Sequence, residues 1–392
     1  MTVNLAHLPP ADAASRSSLA GSRIRSIDTT IIDAPTTRQH KLSNTQISQQ
    51  NYVHVRMQLE NGVIGYGEAS TLGGPRWAEE SVESIKATID RYLAPAVVGR
   101  EAHLFEANAI LMNKAATRNN AAKSAIESAA IDAVGKILGV PASTLLGGAV
   151  RERFPAIWAL ASGVAEQEID EAKGKIAAKT FKRFKIKLGF NPPAADIARL
   201  EKIRGALGDD VPLIVDVNQA WSEADCLRWM PALEALGVAL VEQPLAADKL
   251  NAMARVARRT RIPLMLDEAV FSSTEAVRGG ESGAGSVLSL KLVKSGSLFE
   301  LKRTAGIATA FGHELYGGCL LESSLGAAAH LAAFASLPTL EWGAEHFGPQ
   351  ILVDDLVEES VVYENFDICL PQGPGLGVTP DLDKIAAYAR KY

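Results

Sequence analysis

What this chain has little of narrows it first. Its 392 residues hold three cysteines, Cys226, Cys319 and Cys369. They stand too far apart for a disulfide framework or a metal knuckle, so they read as core or incidental thiols in a reducing compartment, with the cytoplasm as the default. No apolar run reaches the roughly 18 residues of a membrane span. The first 22 residues contain no apolar stretch of the signal-peptide kind and read as a disordered tail. Basic charge is not in excess either: 40 Lys and Arg against 45 Asp and Glu leave a formal charge of −5. Such a balance offers no global attraction to phosphate backbones or anionic lipid, so neither nucleic acid nor membrane is expected as a partner. Histidines number only 7 and form no obvious cluster. His54, His103 and His330 fall in strand or helix patterns and read as structural.

What is present is core material: 47% of the residues are hydrophobic and 22% charged, as in an ordinary globular protein. Two rhythms divide the chain. Residues 23–33 and 52–59 alternate apolar with polar, and Glu60-Asn61-Gly62 is a hairpin signal before Val63–Gly67. Polar Thr36–Gln50 and irregular Ala69–Trp77 read as loops, of the kind that close over sites. Glu79–Leu93, Ala102–Met112 and Ala121–Leu138 carry apolar residues at helical spacing, the last stopping at Gly139 and Pro141. Residues 23–150 thus form an α+β domain.

Beyond residue 150, eight short apolar runs begin near 156, 184, 213, 238, 264, 287, 313 and 340, each but the last followed by an amphipathic helix. Eight βα repeats over roughly 200 residues match a closed (β/α)8 barrel, a TIM-type fold. A doubly wound open sheet is the alternative, but no glycine-rich phosphate fingerprint follows the first strand. The fold class is therefore α/β, with a barrel at 151–350 and an N-terminal α+β capping domain. Residues 351–392 return to pack on the cap, and no low-complexity linker separates the domains.

The strand ends carry the chemistry. Apolar runs finish in a single charged residue at Lys187, Asp216, Glu242, Asp267 and Lys291, spaced 24 to 29 residues apart. That is about one βα unit, so these residues stand side by side at the C-terminal rim, where barrel enzymes work. A lone carboxylate at a strand end is more often a helix cap, and a lone lysine usually reaches solvent. Five in series are hard to explain in that way. Three converging carboxylates call for a hard divalent ion, Mn2+ or Mg2+. Lys185 and Lys187 share a strand face, and their repulsion, with a metal nearby, is expected to lower the proton affinity of the one facing the site. Glu322 and Glu345 follow the last two strands and could each be rim residues. His40, in the polar loop, could meet an anionic substrate.

Lys185-x-Lys187, Asp216-Val-Asn218, Glu242-Gln-Pro244, Asp267-Glu268 and Lys291-Leu-Val-Lys294 resemble the enolase superfamily, muconate lactonizing subgroup, across residues 23–392. Pro35–Leu42, Gly65–Ala69, Trp158–Gly163, Tyr316–Gly318 and Phe347–Pro349 are similar to muconate and chloromuconate cycloisomerases. The resemblance implies that Asp216, Glu242 and Asp267 bind the metal, which holds a substrate carboxylate. It implies Lys187 as the acid/base, Lys185 tuning it, Lys291 on the opposite face, and Glu345 as a second proton-transfer residue. His40, Leu72, Ser289 and Glu322 would contact substrate. The implied reaction converts the dicarboxylate cis,cis-muconate to muconolactone in aromatic-acid catabolism, and the implied assembly is a homo-oligomer, often an octamer. Ser289 and Gly73–Trp77 lean toward the chloromuconate branch, whereas Lys294-Ser-Gly296 and Glu322 lean toward muconate. Ser297 stands where the family often has a second glycine. An N-acyl amino acid racemase or dipeptide epimerase is the nearest rival. A mandelate-type dehydratase would want a histidine at Lys291, and a catalytically silent binding barrel sits poorly with five intact rim charges.

Overall fold

The computed structural model describes residues 19–391, so all but the last four residues of the expected tail lie outside the description. The cap begins with an antiparallel meander, β1 (Ile24–Lys41), β2 (Gln46–Leu59) and β3 (Ile64–Thr71), in that order across the sheet. The predicted loop Thr36–Gln50 is in fact mostly paired strand. After a register break between Pro35 and His40 the hairpin resumes at His40–Ile47 and turns only at Leu42–Thr45. A solvated hairpin satisfies its backbone by pairing while its side chains stay polar, so polarity alone does not make a loop. Ala69–Thr71 likewise end β3, and the irregular stretch starts at Leu72.

The predicted helices all form, with shifted starts. The first begins at Val82 rather than Glu79, because Ser81 and Ser84 make a reciprocal capping box. The helix Asn120–Leu138 buries every residue from Ala121 to Gly135 and lies directly on β3. Glycines make that contact possible: a Cβ on Gly65 or Gly67 would come within 2.0 Å of the carbonyl oxygens of Ala129 or Ala125.

The second domain is the barrel. After a short β4 (Arg153–Pro155) come seven parallel strands: β5 (Ile157–Leu160), β6 (Arg183–Lys187), β7 (Leu213–Asp216), β8 (Val238–Glu242), β9 (Leu264–Leu266), β10 (Val287–Leu290) and β11 (Glu314–Gly317). The eighth position departs from expectation. Leu340–Trp342 is not a strand; the ring closes two residues later, where Ala344 bridges both Gly317 and Ala156. Glu341 and Trp342 are spent on a turn, and Gly343 after it has φ of +80° and abuts the Pro155 carbonyl too closely for a side chain. Inside, Ile157, Ile214, Leu240, Met265, Val287 and Tyr316 form a separate buried cluster that plugs the barrel beneath its rim.

The chain then returns to the cap. Leu352, Leu356 and Ile385 pack with Ile32, Ala34 and Tyr52, and Arg390 pairs both carboxylate oxygens of Asp33 at 2.7 Å. Two last strands, β12 (Tyr363–Glu364) and β13 (Asp367–Cys369), join β4 in a small sheet. No helix among the described residues is long and apolar enough to cross a membrane.

Candidate active site

Strand alternation aims every second side chain into the barrel, and parallel register then lines up the rim. Lys187 pairs in register with Asp216, and Asp216 with Glu242. Lys185, Lys187, Asp216, Glu242, Asp267 and Lys291 are all buried, none more than 5% exposed. Each carboxylate holds an ammonium: Lys187 Nζ lies 2.6 Å from Asp216 Oδ2, Lys185 Nζ 2.8 Å from Glu242 Oε2, and Lys291 Nζ 2.6 Å from Asp267 Oδ2. Glu345, carried in from the far end of the chain, reaches Lys185 at 2.5 Å.

Lys185 holds its proton more tightly than an ordinary lysine. Burial disfavours its charge, but Glu242, Glu345 and Asp216 together hold the ammonium well above the ordinary lysine range. Lys291 is raised for the same reason, by Asp267 and Glu242 against burial. The carboxylates divide. Burial opposes ionisation of all three, yet Lys187 and Lys185 hold Asp216 low, and Lys291 and Lys294 hold Asp267 far lower. Glu242, pushed by burial and by Asp216, rises to about 8. Its Oε1 is buried with no hydrogen-bond partner, and so is Oε2 of Glu268. Orphaned carboxylate oxygens amid all-oxygen donors suit a hard divalent cation, which would complete what the protein leaves unpaired.

Backbone strain marks the same rim. Asn218, Gln219 and Gln243 take positive φ just after β7 and β8. The turn at Gln243 lets its side-chain oxygen accept from the N–H groups of Asp267 and Ala269. Gln243 has no role legible from sequence, because its importance lies in an angle rather than a charge.

The cap closes the site. His40, Leu42, Leu72 and Trp77 roof a narrow pocket whose floor includes Lys185, Lys187, Asp216, Lys291 and Glu345. A wider open groove outside it runs past Lys41 and Arg76. The hairpin tip is tied to the barrel through Ser43 Oγ, which donates to the Asn218 carbonyl at 3.0 Å, and through Lys41 N–H to Ala161. Burial and Arg38 keep His40 neutral. Trp77 sits over Lys291, its ring centre 4.2 Å from Nζ, and Phe347 packs on Trp158. Neither Trp77 nor Phe347 was singled out as a site residue from sequence, although Trp77 ends the stretch read as a loop that closes over a site.

Two expected substrate contacts fall outside this cavity. Ser289 lies within the barrel, fully buried, with its Oγ unpartnered and close to Gly318 and Lys291 rather than in the cavity wall. Glu322 is turned away, because Leu321 adopts φ of +57° and leaves Leu320 and Leu321 to line the cavity. Both Glu322 oxygens instead accept from Leu320 N–H, and Ser70 donates to one of them. There Glu322 meets His330 and His346, whose donor atoms lie with its own within 4.8 Å, so the histidines do cluster. Among the described residues this is the group of metal-ligand type gathered most tightly; the rim carboxylates are drawn apart onto their lysines. It is nevertheless a poorer cation site. His330 Nε2 accepts from Leu292 N–H at 3.0 Å and Nδ1 donates to the Gly326 carbonyl at 2.8 Å, which leaves no free lone pair. Ser297, at the family's glycine position, caps the helix Leu298–Ala310 and donates to Glu127.

Comparison with known proteins decides the family. Residues 26–147 match the model of the mandelate racemase / muconate lactonizing enzyme N-terminal domain, and residues 167–384 match the enolase C-terminal domain-like model. The chain belongs to the mandelate racemase/muconate lactonizing enzyme family. Within it, the chain is 40% identical to muconate cycloisomerase 1 of Acinetobacter baylyi, over 93% of this chain and 99% of that protein. It is also 40% identical to chloromuconate cycloisomerase CbnB of Cupriavidus necator, over 94% and 99%. A solved muconate lactonizing enzyme of Pseudomonas fluorescens, complexed with muconolactone, superposes with a TM-score of 0.93 at 40% identity, covering 94% of this chain and all of that one. The family's capped barrel is thus the architecture of this chain, and a cycloisomerase is an isomerase.

Proposed function

We propose that this chain is a divalent-metal-dependent cycloisomerase that closes cis,cis-muconate to muconolactone. The observation that carries this reading is a pocket beneath the cap with Lys187 and Lys291 on its wall, beside the carboxylates Asp216 and Glu345. Asp216, Glu242 and Asp267 would hold Mn2+ or Mg2+, which supplies Lewis-acid stabilisation of charge on a substrate carboxylate. One carboxylate oxygen of the diacid adds to the diene carbon, and the electron pair moves onto the other carboxylate as an enediolate. Lys187 gives its proton to the α-carbon, restores the carboxylate and leaves a neutral amine that is reprotonated for the next cycle. Lys185, fixed in its charged form by Glu242 and Glu345, supplies positive charge where the enediolate develops. His40, Leu72 and Trp77 exclude water from the intermediate. Glu345, 2.5 Å from Lys185, is the candidate second proton-transfer residue.

The test is loss of the muconate ultraviolet absorbance on adding enzyme and Mn2+. Unchanged absorbance at saturating metal refutes the reading. Chloromuconate is the second substrate to try, because relatives named for either substrate stand at the same 40% identity. Two facing lysines also suit a racemase of N-acyl amino acids, and deuterium exchange at the α-carbon of such a compound would favour that rival. The same reading places the enzyme in the cytoplasm as a homo-oligomer, an octamer by family resemblance, which sedimentation checks.

A further inference from the structure

Asp267 differs from its two neighbours in having an ammonium at each oxygen. Lys291 takes Oδ2 at 2.6 Å, and Lys294 takes Oδ1 at 3.0 Å. Lys294 is 2% exposed and does not line the cavity. Its three N–H donors are all committed, to Asp267 Oδ1, to the Asp267 carbonyl at 2.9 Å and to the Ser289 carbonyl at 2.6 Å. No donor remains for substrate, solvent or a proton relay. A buried lysine that faces no reactant is costly unless its charge is used. By contrast, Oδ1 of Asp216 accepts only a neutral backbone N–H, from Asn218, and Oε1 of Glu242 has no partner.

We propose that Lys294 is a positioning residue that tempers the charge of the third ligand, Asp267. This rests on the reading of Asp216, Glu242 and Asp267 as the cation site. A fixed positive charge on one oxygen locks the carboxylate with Oδ2 toward the cavity and opposes a divalent cation on the same group. Three ligand carboxylates would otherwise more than neutralise a divalent ion. With Lys294 offsetting one of them, ligands and cation come to neutrality rather than to net negative charge, so an incoming substrate carboxylate meets less repulsion. The cation is held less tightly, and the dianion more tightly, than without it.

Mn2+ binding is measured from the electron paramagnetic resonance of the free ion, without substrate, on the parent and on Lys294→Met, Lys294→Gln and Lys294→Arg. Lys294→Met and Lys294→Gln should bind Mn2+ at least about tenfold more tightly, and their KM for muconate should rise by about tenfold or more. Lys294→Arg, which keeps the charge, should stay within about threefold of the parent in Mn2+ affinity. A purely structural role would weaken both kinds of binding together. Unchanged or weaker Mn2+ binding in Lys294→Gln overturns the proposal, as does Lys294→Gln behaving like the parent because a donor alone suffices. A parent that binds no Mn2+ refutes the cation site itself, a separate failure. Should Lys294→Met not fold, the glutamine and arginine variants carry the same comparison.

Discussion

The molecule buries two dense polar clusters a short distance apart, and they follow opposite rules. At the rim, carboxylates alternate with ammonium groups, each within 2.8 Å of a partner of opposite sign. At the junction between cap and barrel, Glu68, Glu322, His330 and His346 meet with no Lys or Arg bonded to any of them. There the histidines stay neutral, lowered by burial, and Glu68 is pushed by burial to about 8 while accepting from Ser323. Burial is nearly equal in the two places; counter-charge is not. A buried group keeps its charge, and hence its chemistry, only where a partner of opposite sign shares the burial.

Breaking the rim should cost activity before stability. Lys187→Ala should lower kcat by about 1,000-fold or more while Mn2+ affinity stays within a few fold. Retained turnover would move proton delivery elsewhere. Glu345→Gln, which leaves Lys185 short of one anion, should cost about 100-fold in kcat with KM nearly unchanged. The equivalent change across the divide, Glu322→Gln, should leave kcat within about threefold and show itself in thermal unfolding instead. A large loss of kcat there would erase the distinction between the clusters.

At the junction the expected currency is stability. His330→Leu strands the Leu292 N–H beside Lys291 and should destabilise by about 1–3 kcal/mol in urea unfolding. The smallest effect is a change of slope. Folded Glu68 ionises near 8 and an unfolded glutamate near 4.5, so the folded state holds the proton longer. Its contribution to stability is full below 4.5 and is lost as pH rises toward 8. Glu68→Gln should flatten that decline between pH 5 and 8, and an unaltered slope would mean Glu68 is already ionised in the fold.

The rim was legible because it is periodic: one charge per βα unit survives in sequence as a spacing, and the barrel with it. The eighth strand was not, since a closure made by Ala344 alone leaves no apolar run to find. Polar residues hid the hairpin of β1 and β2, because pairing satisfies backbones that composition cannot see. Glu322 was misplaced for want of one dihedral, the positive φ of Leu321. That Lys185 holds its proton tightly was not visible in sequence, because its partner Glu345 lies 160 residues on.

The closure at Ala344 also bears on how such an enzyme can diversify. Charges on β6, β7 and β8 are locked by ladder register, so shifting one by a residue would turn it out of the barrel. Glu345 rides on a seam instead, next to a single bridged residue and a glycine turn. A one-residue insertion there could re-aim its carboxylate without unpicking any strand. New proton-transfer geometries are therefore most accessible to mutation at this stitch in the ring, while the carboxylates of β7 and β8 stay where the weave holds them.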